Sequence, residues 1–239
     1  MLKRILAVWL PVFFLQNGFA QTAHSDPVRI LFVGNSLTYV NDLPALIAEL
    51  ARQDKTIVIY NSFLFPDYSL EDHWKEGKVQ AEIEKGSYDF VVAQQGPSAL
   101  PGSQVLLPDY TNKFAELCNK NNSKLALYMV WPSRARSFDL DNVIKAYTNA
   151  AEKSSSLLCR AGLAWKYAWQ ADSTLPLYTS DNFHPSVTGS VLAALTIYGV
   201  LFNKKDLDFL KPVTYSWKNE IPKERLATLK QAALKAMRK

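Results

Sequence analysis

The sequence predicts an α/β fold, a three-layer α/β/α sandwich doubly wound around a parallel sheet of about five strands. Three observations carry that expectation. Short β-branched and apolar runs alternate with amphipathic segments along the whole chain. Residues 88–94, Tyr-Asp-Phe-Val-Val-Ala-Gln, are apolar nearly throughout, as a strand covered by helices on both faces must be. The chain has 239 residues, 48% of them hydrophobic, enough for one sizeable core, and no linker-like stretch divides it.

The elements follow in order. Residues 28–33 form a first strand that stops at Gly34, with a serine two positions on. Asn41 or Asp42 caps a helix whose apolar positions Leu43, Leu46, Ile47 and Leu50 share one face. Residues 56–60 are the second strand. Residues 61–78, aromatic and proline-bearing, read as an active-site loop with one helical turn around 70–74. A helix over 79–85 precedes the third strand at 88–94. Residues 95–108, with Gly96, Pro97, Pro101 and Gly102, read as a loop, and 109–121 as an amphipathic helix. A fourth strand at 124–131 is closed by Pro132. A helix at 140–153, a weaker strand at 156–160 and a helix at 163–171 come next. The loop 175–184 leads into an apolar helix at 186–201, with Pro185 near its start. Residues 223–238, after Pro222, read as a surface helix.

Residues 1–20 read as a secretory signal: Lys3 and Arg4, an apolar run of eleven residues at 5–15, then Gly18-Phe19-Ala20 with small residues at the cleavage positions. Eleven residues fall well short of the roughly 20 a spanning helix needs, so cleavage after Ala20 is expected rather than stable membrane insertion. The mature chain is then a single domain, 21–239, exported to the periplasm or beyond. No cysteine lies near the cleavage site to carry a lipid. Losing Lys3 and Arg4 lowers the net charge from +5 to +3, too small and scattered an excess to suggest nucleic acid as a partner. Cys118 and Cys159 read as two buried thiols, or as one disulfide in an exported protein. With no Cys-x-x-Cys, no paired histidines and only His24, His73 and His184, no metal or cofactor is expected.

The chemistry centres on Ser36. It follows a strand that ends at Gly34, so a parallel sheet would place its hydroxyl at the carboxyl edge, where ligands bind. The plainer role is a helix cap. A serine hydroxyl needs a base, and the base needs an orienting group. His24 lies near the exposed N-terminus and His73 on the long loop. His184 stands three residues after Asp181 and before a proline, so one turn can set the carboxylate on one ring nitrogen and leave the other exposed. The alternative is an Asp capping the following helix beside a solvated His.

Gly34-Asn35-Ser36 after a first strand, with Asp181-x-x-His184-Pro185 before a last helix, resembles the SGNH (GDSL-like) hydrolase superfamily over nearly all of the mature chain. Residues 69–74, 91–98 and 129–133 look like an exported bacterial branch of it. The resemblance implies a flavodoxin-like sandwich and a serine esterase, with Ser36 as nucleophile, His184 as general base and Asp181 as its partner. It also implies an oxyanion hole made by the Ser36 N–H, a glycine N–H after strand two and an Asn side chain after strand three. Here the second region has Asp67 and Tyr68 but no glycine, and the third reads Gln94-Gln95-Gly96-Pro97. A backbone N–H of Asp67 or Tyr68 can replace the first donor, and the Gln94 carboxamide, with Gln95 second, the other; the alternative for Gln94 is a strand-end side chain that binds a neighbouring loop. His73, Trp131 and Arg134 are candidates for substrate binding, the histidine alternatively as a buried hydrogen-bonded residue and the arginine as a solvated one. A small-molecule or carbohydrate ester is the implied substrate, acetyl removal from a sugar being one case. A non-catalytic carbohydrate-binding or envelope module, and a sugar O-acyltransferase, stand as alternatives.

Overall fold

The computed structural model describes residues 26–210, 216–217 and 221–238; the expected leader, residues 1–20, lies outside the described residues. Five parallel strands, β1 (Val28–Gly34), β2 (Val58–Leu64), β3 (Phe90–Ala93), β4 (Lys124–Tyr128) and β5 (Leu157–Cys159), form one sheet in the order β2-β1-β3-β4-β5. The helices are α1 (Ser36–Tyr39), α2 (Leu43–Gln53), α3 (Leu70–Glu76), α4 (Lys78–Ile83), α5 (Pro101–Lys120), α6 (Leu140–Ser154), α7 (Ala161–Ala171), α8 (Val187–Leu201) and α9 (Lys223–Met237). Two 3-10 turns, Val40–Asp42 and Arg134–Asp139, precede α2 and α6. One layer comprises α2, α7, α8 and α9 and the other α3 to α6, as the packing partners of each helix show. The α/β sandwich is therefore the fold, and its strand order is the flavodoxin-like one.

That order places the chemistry. From β1 the chain goes first to β2 on one side and then crosses to β3 on the other, so a crevice opens at the carboxyl ends of β1 and β3. Ile30, Leu31, Phe32 and Val33 of β1 are wholly buried between the two helical layers. Full burial of each such side chain stabilises the sheet by about 1.5–3 kcal/mol.

Several boundaries differ from the sequence expectation, each for a local reason. The second strand begins at Val58, not Thr56, and runs to Leu64, because its register with β1 pairs Val28 with Val58 and Gly34 with Leu64. Much of the expected loop 61–78 is therefore strand and helix. α5 begins at Pro101 rather than Asp109. A proline is tolerated in a first helical turn, where its missing N–H would have no partner. The helix continues through Pro108 because Leu107, Phe114 and Cys118 are all wholly buried. α9 is not a surface helix only: Leu226, Leu229, Ala232, Ala233 and Ala236 are buried on one face, which packs on α7 and α8. Cys118 and Cys159 are free and buried, and burial pushes both thiols up to about 12.

Candidate active site

The corner after β1 is built from Gly34. A Cβ at that position would lie 2.6 Å from Gln94 Oε1, so only glycine lets the strand end so close to β3. Asn35 then caps α1. Its side-chain oxygen accepts from the Leu37 N–H at 3.1 Å, and its Nδ2 donates to the Tyr68 carbonyl at 2.9 Å. Ser36 is the first residue of α1 and is 8% exposed. Among the described residues its hydroxyl and its N–H have no hydrogen-bond partner. The capping role thus belongs to Asn35, which leaves Ser36 free for something else.

Ser36 opens onto a cavity of about 460 Å³ between the loops that follow β1, β2, β3 and β4. Asp67, Tyr68 and Ser69 form one wall, Gln95 to Leu100 with Leu106 a second, and Ser133, Arg136, Asp139 and Phe183 a third. Asp67 has φ 60°. It therefore takes the left-handed conformation that glycine favours, in a region where the sequence offers no glycine. Its N–H has no partner among the described residues.

Gln94 is wholly buried and does not line the cavity. Its Oε1 accepts from the Asn35 N–H at 3.0 Å and from the Thr38 hydroxyl at 2.8 Å, one on either side of Ser36. Those two donors draw the strand-end side chain under the corner and away from the substrate space, so the expected oxyanion contact of Gln94 is corrected to a supporting one. Its Nε2 is buried and unpaired. Gln95, the second candidate, does line the cavity, with Oε1 accepting from the Leu70 N–H at 3.2 Å and Nε2 donating to Ser98 Oγ at 3.0 Å.

The histidine loop is a separate construction. Asp181 Oδ2 meets His184 Nδ1 at 2.6 Å, while Oδ1 accepts from the Thr179 hydroxyl and from the N–H groups of Phe183 and His184 at 2.7–2.9 Å. Those bonds, led by the His184 one, hold the Asp181 carboxyl well below the usual carboxylate range. With Nδ1–H donating to a carboxylate, Nε2 is left as the basic nitrogen, as nucleophilic catalysis requires. The loop is tied to the end of β4 by Trp131 Nε1 donating to the Phe183 carbonyl at 3.2 Å and by the Arg134 N–H donating to the Asn182 carbonyl at 2.8 Å. Phe183, next to His184, completes the cavity wall. Ser36 and His184 are not hydrogen-bonded to each other in this structure.

The three expected substrate contacts fall elsewhere. His73 is 1% exposed, its Nε2 donates to the Gly34 carbonyl at 2.9 Å, and burial lowers its pKa. It is the buried, hydrogen-bonded residue, supporting the Gly34 corner from below. Trp131 is wholly buried and stacked on Trp165, with ring centroids 3.5 Å apart, because the chain after β4 turns into the core. Arg134 lines a second depression with Trp169 and Tyr178; the arginine at the Ser36 cavity is Arg136, paired with Asp139. Arg136 is a cavity residue that the substrate-contact candidates did not include, whereas Asp67, a candidate donor, does line the cavity. Across the 3-10 turn at 134–139, Arg134 and Arg136 line different cavities. Among the described residues no cluster of three or more His, Cys, Asp or Glu side chains is placed to hold a metal ion, and no helix is long and apolar enough to cross a membrane.

No protein-family model and no curated protein matches the chain. Solved structures do. They include a protein from Slackia heliotrinireducens classed as an SGNH hydrolase, 26% identical and covering 74% of this chain and 100% of that one, TM-score 0.64. A DUF4886 family protein from Bacteroides uniformis is 17% identical, covering 89% and 95%, TM-score 0.73. An acetylxylan esterase from Geobacillus stearothermophilus is 15% identical, covering 74% and 93%, TM-score 0.53.

Proposed function

Because the chain belongs to the SGNH hydrolase superfamily, we propose that it is a serine esterase in which Ser36 is the nucleophile, His184 the general base and Asp181 the group that orients it. The observation that carries this is the pairing of two features built for it. One is a hydroxyl on a cavity wall with no partner among the described residues; the other is an imidazole whose Nδ1 is held by a carboxylate. Ser36 Oγ attacks the ester carbonyl carbon as His184 Nε2 takes its proton. The oxyanion is held by the N–H groups of Ser36 and Asp67, both on residues lining the cavity and both without a partner among the described residues. The intermediate collapses, the alkoxide leaves with the proton from His184, and water repeats the sequence to release the acid and restore the hydroxyl.

The likeness to the acetylxylan esterase supports a carbohydrate acyl ester as substrate. The leader-like residues 1–20 support export, which mass measurement of a mature chain starting at Gln21 tests. The function is tested with p-nitrophenyl esters and acetylated sugars, assayed with wild type, Ser36→Ala and His184→Ala. Losses of about 10⁶-fold in kcat for either variant are expected. Wild-type turnover in His184→Ala removes the base assignment, and absence of both turnover and fluorophosphonate labelling in wild type favours a binding module. Transfer of the acyl group to an added sugar, with no free acid formed, identifies an acyltransferase.

A further inference from the structure

Two consecutive left-handed residues follow the serine helix. Asn41 has φ 57° and ψ 20°, and Asp42 has φ 49° and ψ 59°. Asn and Asp tolerate this region better than most residues, but two in a row persist only where the surroundings hold them. Asp42 is held by capping α2, its Oδ1 accepting from the Ala45 N–H at 3.3 Å. Asn41 caps nothing. Its Nδ2 instead donates both hydrogens, to the Pro185 carbonyl at 2.9 Å and to Ser190 Oγ at 2.9 Å. Pro185 directly follows His184, and Ser190 lies in the early part of α8 and is buried. Among the described residues these are the only hydrogen bonds that join residues 35–42 to residues 176–190.

From this we propose that Asn41 is a positioning residue, an amide clasp that fixes how far His184 stands from Ser36 and thereby the rate of acylation. The proposal rests on the reading of those two residues as base and nucleophile. The physical reason lies in what each other restraint controls. Asp181 sits on the same loop as His184, so it sets the rotation of the ring without fixing its distance from β1. The bonds from Trp131 and Arg134 fasten that loop to the end of β4, two strands away from β1. The Asn41 amide instead connects a point five residues beyond Ser36, past the single turn of α1 and the extended Val40, with the residue next to His184. Its left-handed backbone turns the side chain out of the run of α1 toward α8, which explains why so short a segment accepts the strain.

The test is Asn41→Gly, which keeps the left-handed backbone available and removes both donors. The kcat and the rate of fluorophosphonate labelling should fall together by about 10- to 100-fold, as misplacement of reacting groups by a fraction of an ångström to an ångström does, with KM within about 2-fold. Ser190→Ala, which removes one acceptor only, should give a smaller fall of about 3- to 10-fold. Asp42→Gly, which keeps the left-handed backbone available and loses the side-chain helix cap, should lower the melting temperature slightly and leave the labelling rate of the folded protein unchanged. Wild-type kcat in Asn41→Gly overturns the clasp, as does a loss that disappears once rates are normalised to titrated active sites. If Asn41→Gly does not fold, an unchanged kcat in Ser190→Ala overturns it alone. Ser36→Ala run alongside separates the two readings: activity retained there ends the esterase mechanism, whereas an inactive Ser36→Ala with an intact Asn41→Gly refutes only the clasp.

Discussion

The serine corner and the histidine loop are built in opposite ways. The corner's supports lead into the core: Gly34 rests on buried His73, and wholly buried Gln94 grips the chain on both sides of Ser36. The loop lies at the surface, with 30% of the His184 side chain and 50% of the Asp181 side chain exposed. Its bonds run mostly among residues 179–184. The nucleophile's place is thus a property of the sheet, whereas the base's place is a property of one turn. A turn of that kind keeps its internal geometry cheaply, but it depends on ties to other elements for its distance from the sheet.

Substitutions can break the two constructions separately. The largest effect should come from the loop, in Asp181→Asn. An amide there can stabilise the wrong tautomer of His184, and kcat should fall by about 10³- to 10⁴-fold while the folded state survives. Steady-state kinetics beside a circular-dichroism melt checks both halves. The same carboxylate should leave a signature in pH. Its pKa is lowered on folding, so the native state binds the proton more weakly than the unfolded chain. Its contribution to stability is complete above the ordinary carboxylate value of about 4 and fades as the pH falls below it. Urea midpoints for wild type and Asp181→Asn should therefore converge on acidification, by a modest amount because the carboxylate is half exposed.

The corner should respond differently. Gln94→Leu strands the Asn35 N–H and the Thr38 hydroxyl, each a buried donor, at about 1–3 kcal/mol apiece. In a domain of this size each kcal/mol lowers the melting temperature by roughly 2–4 °C. Activity should drop with stability, since the same bonds hold Ser36, and calorimetry paired with an active-site titration reads both. Gln94→Glu, which keeps the acceptor, should recover part of each. The smallest effects sharpen the choice between two arginines. Arg134→Ala should leave kcat/KM within about 2-fold, whereas Arg136→Ala, at the cavity wall, should raise KM by about 3-fold or more.

The same contrast explains what the sequence could and could not disclose. Hydrophobic periodicity located all five strands and most helices, because burial between two helical layers leaves an unmistakable pattern in residues such as 30–33 and 91–93. Ser36 and the Asp181–His184 pair were legible because each rests on a short local motif. The two readings of Gln94 stayed open in the sequence because the choice depends on two donors from another strand end, 59 and 56 positions away. Trp131 was misjudged because a tryptophan past a strand end reads equally well as a sugar platform or as core, and only the stack on Trp165 decides. Asp67 supplies a left-handed backbone without a glycine; aspartate tolerates that region better than most residues, but the residue type alone does not say which aspartate adopts it. Pro108, normally a helix breaker, sits within α5, where the burial of Leu107 and Phe114 outweighs local propensity.

The central claim is that a hydroxyl and an imidazole 148 positions apart in the chain act as one unit. A crystal structure of the protein after reaction with a fluorophosphonate tests it most directly. The account predicts phosphorus bonded to Ser36 Oγ, the phosphonyl oxygen held by the Ser36 and Asp67 N–H groups, and His184 Nε2 within about 2.6–3.2 Å of an oxygen on the adduct. An adduct on another residue, or a His184 ring turned away from a modified Ser36, would contradict it.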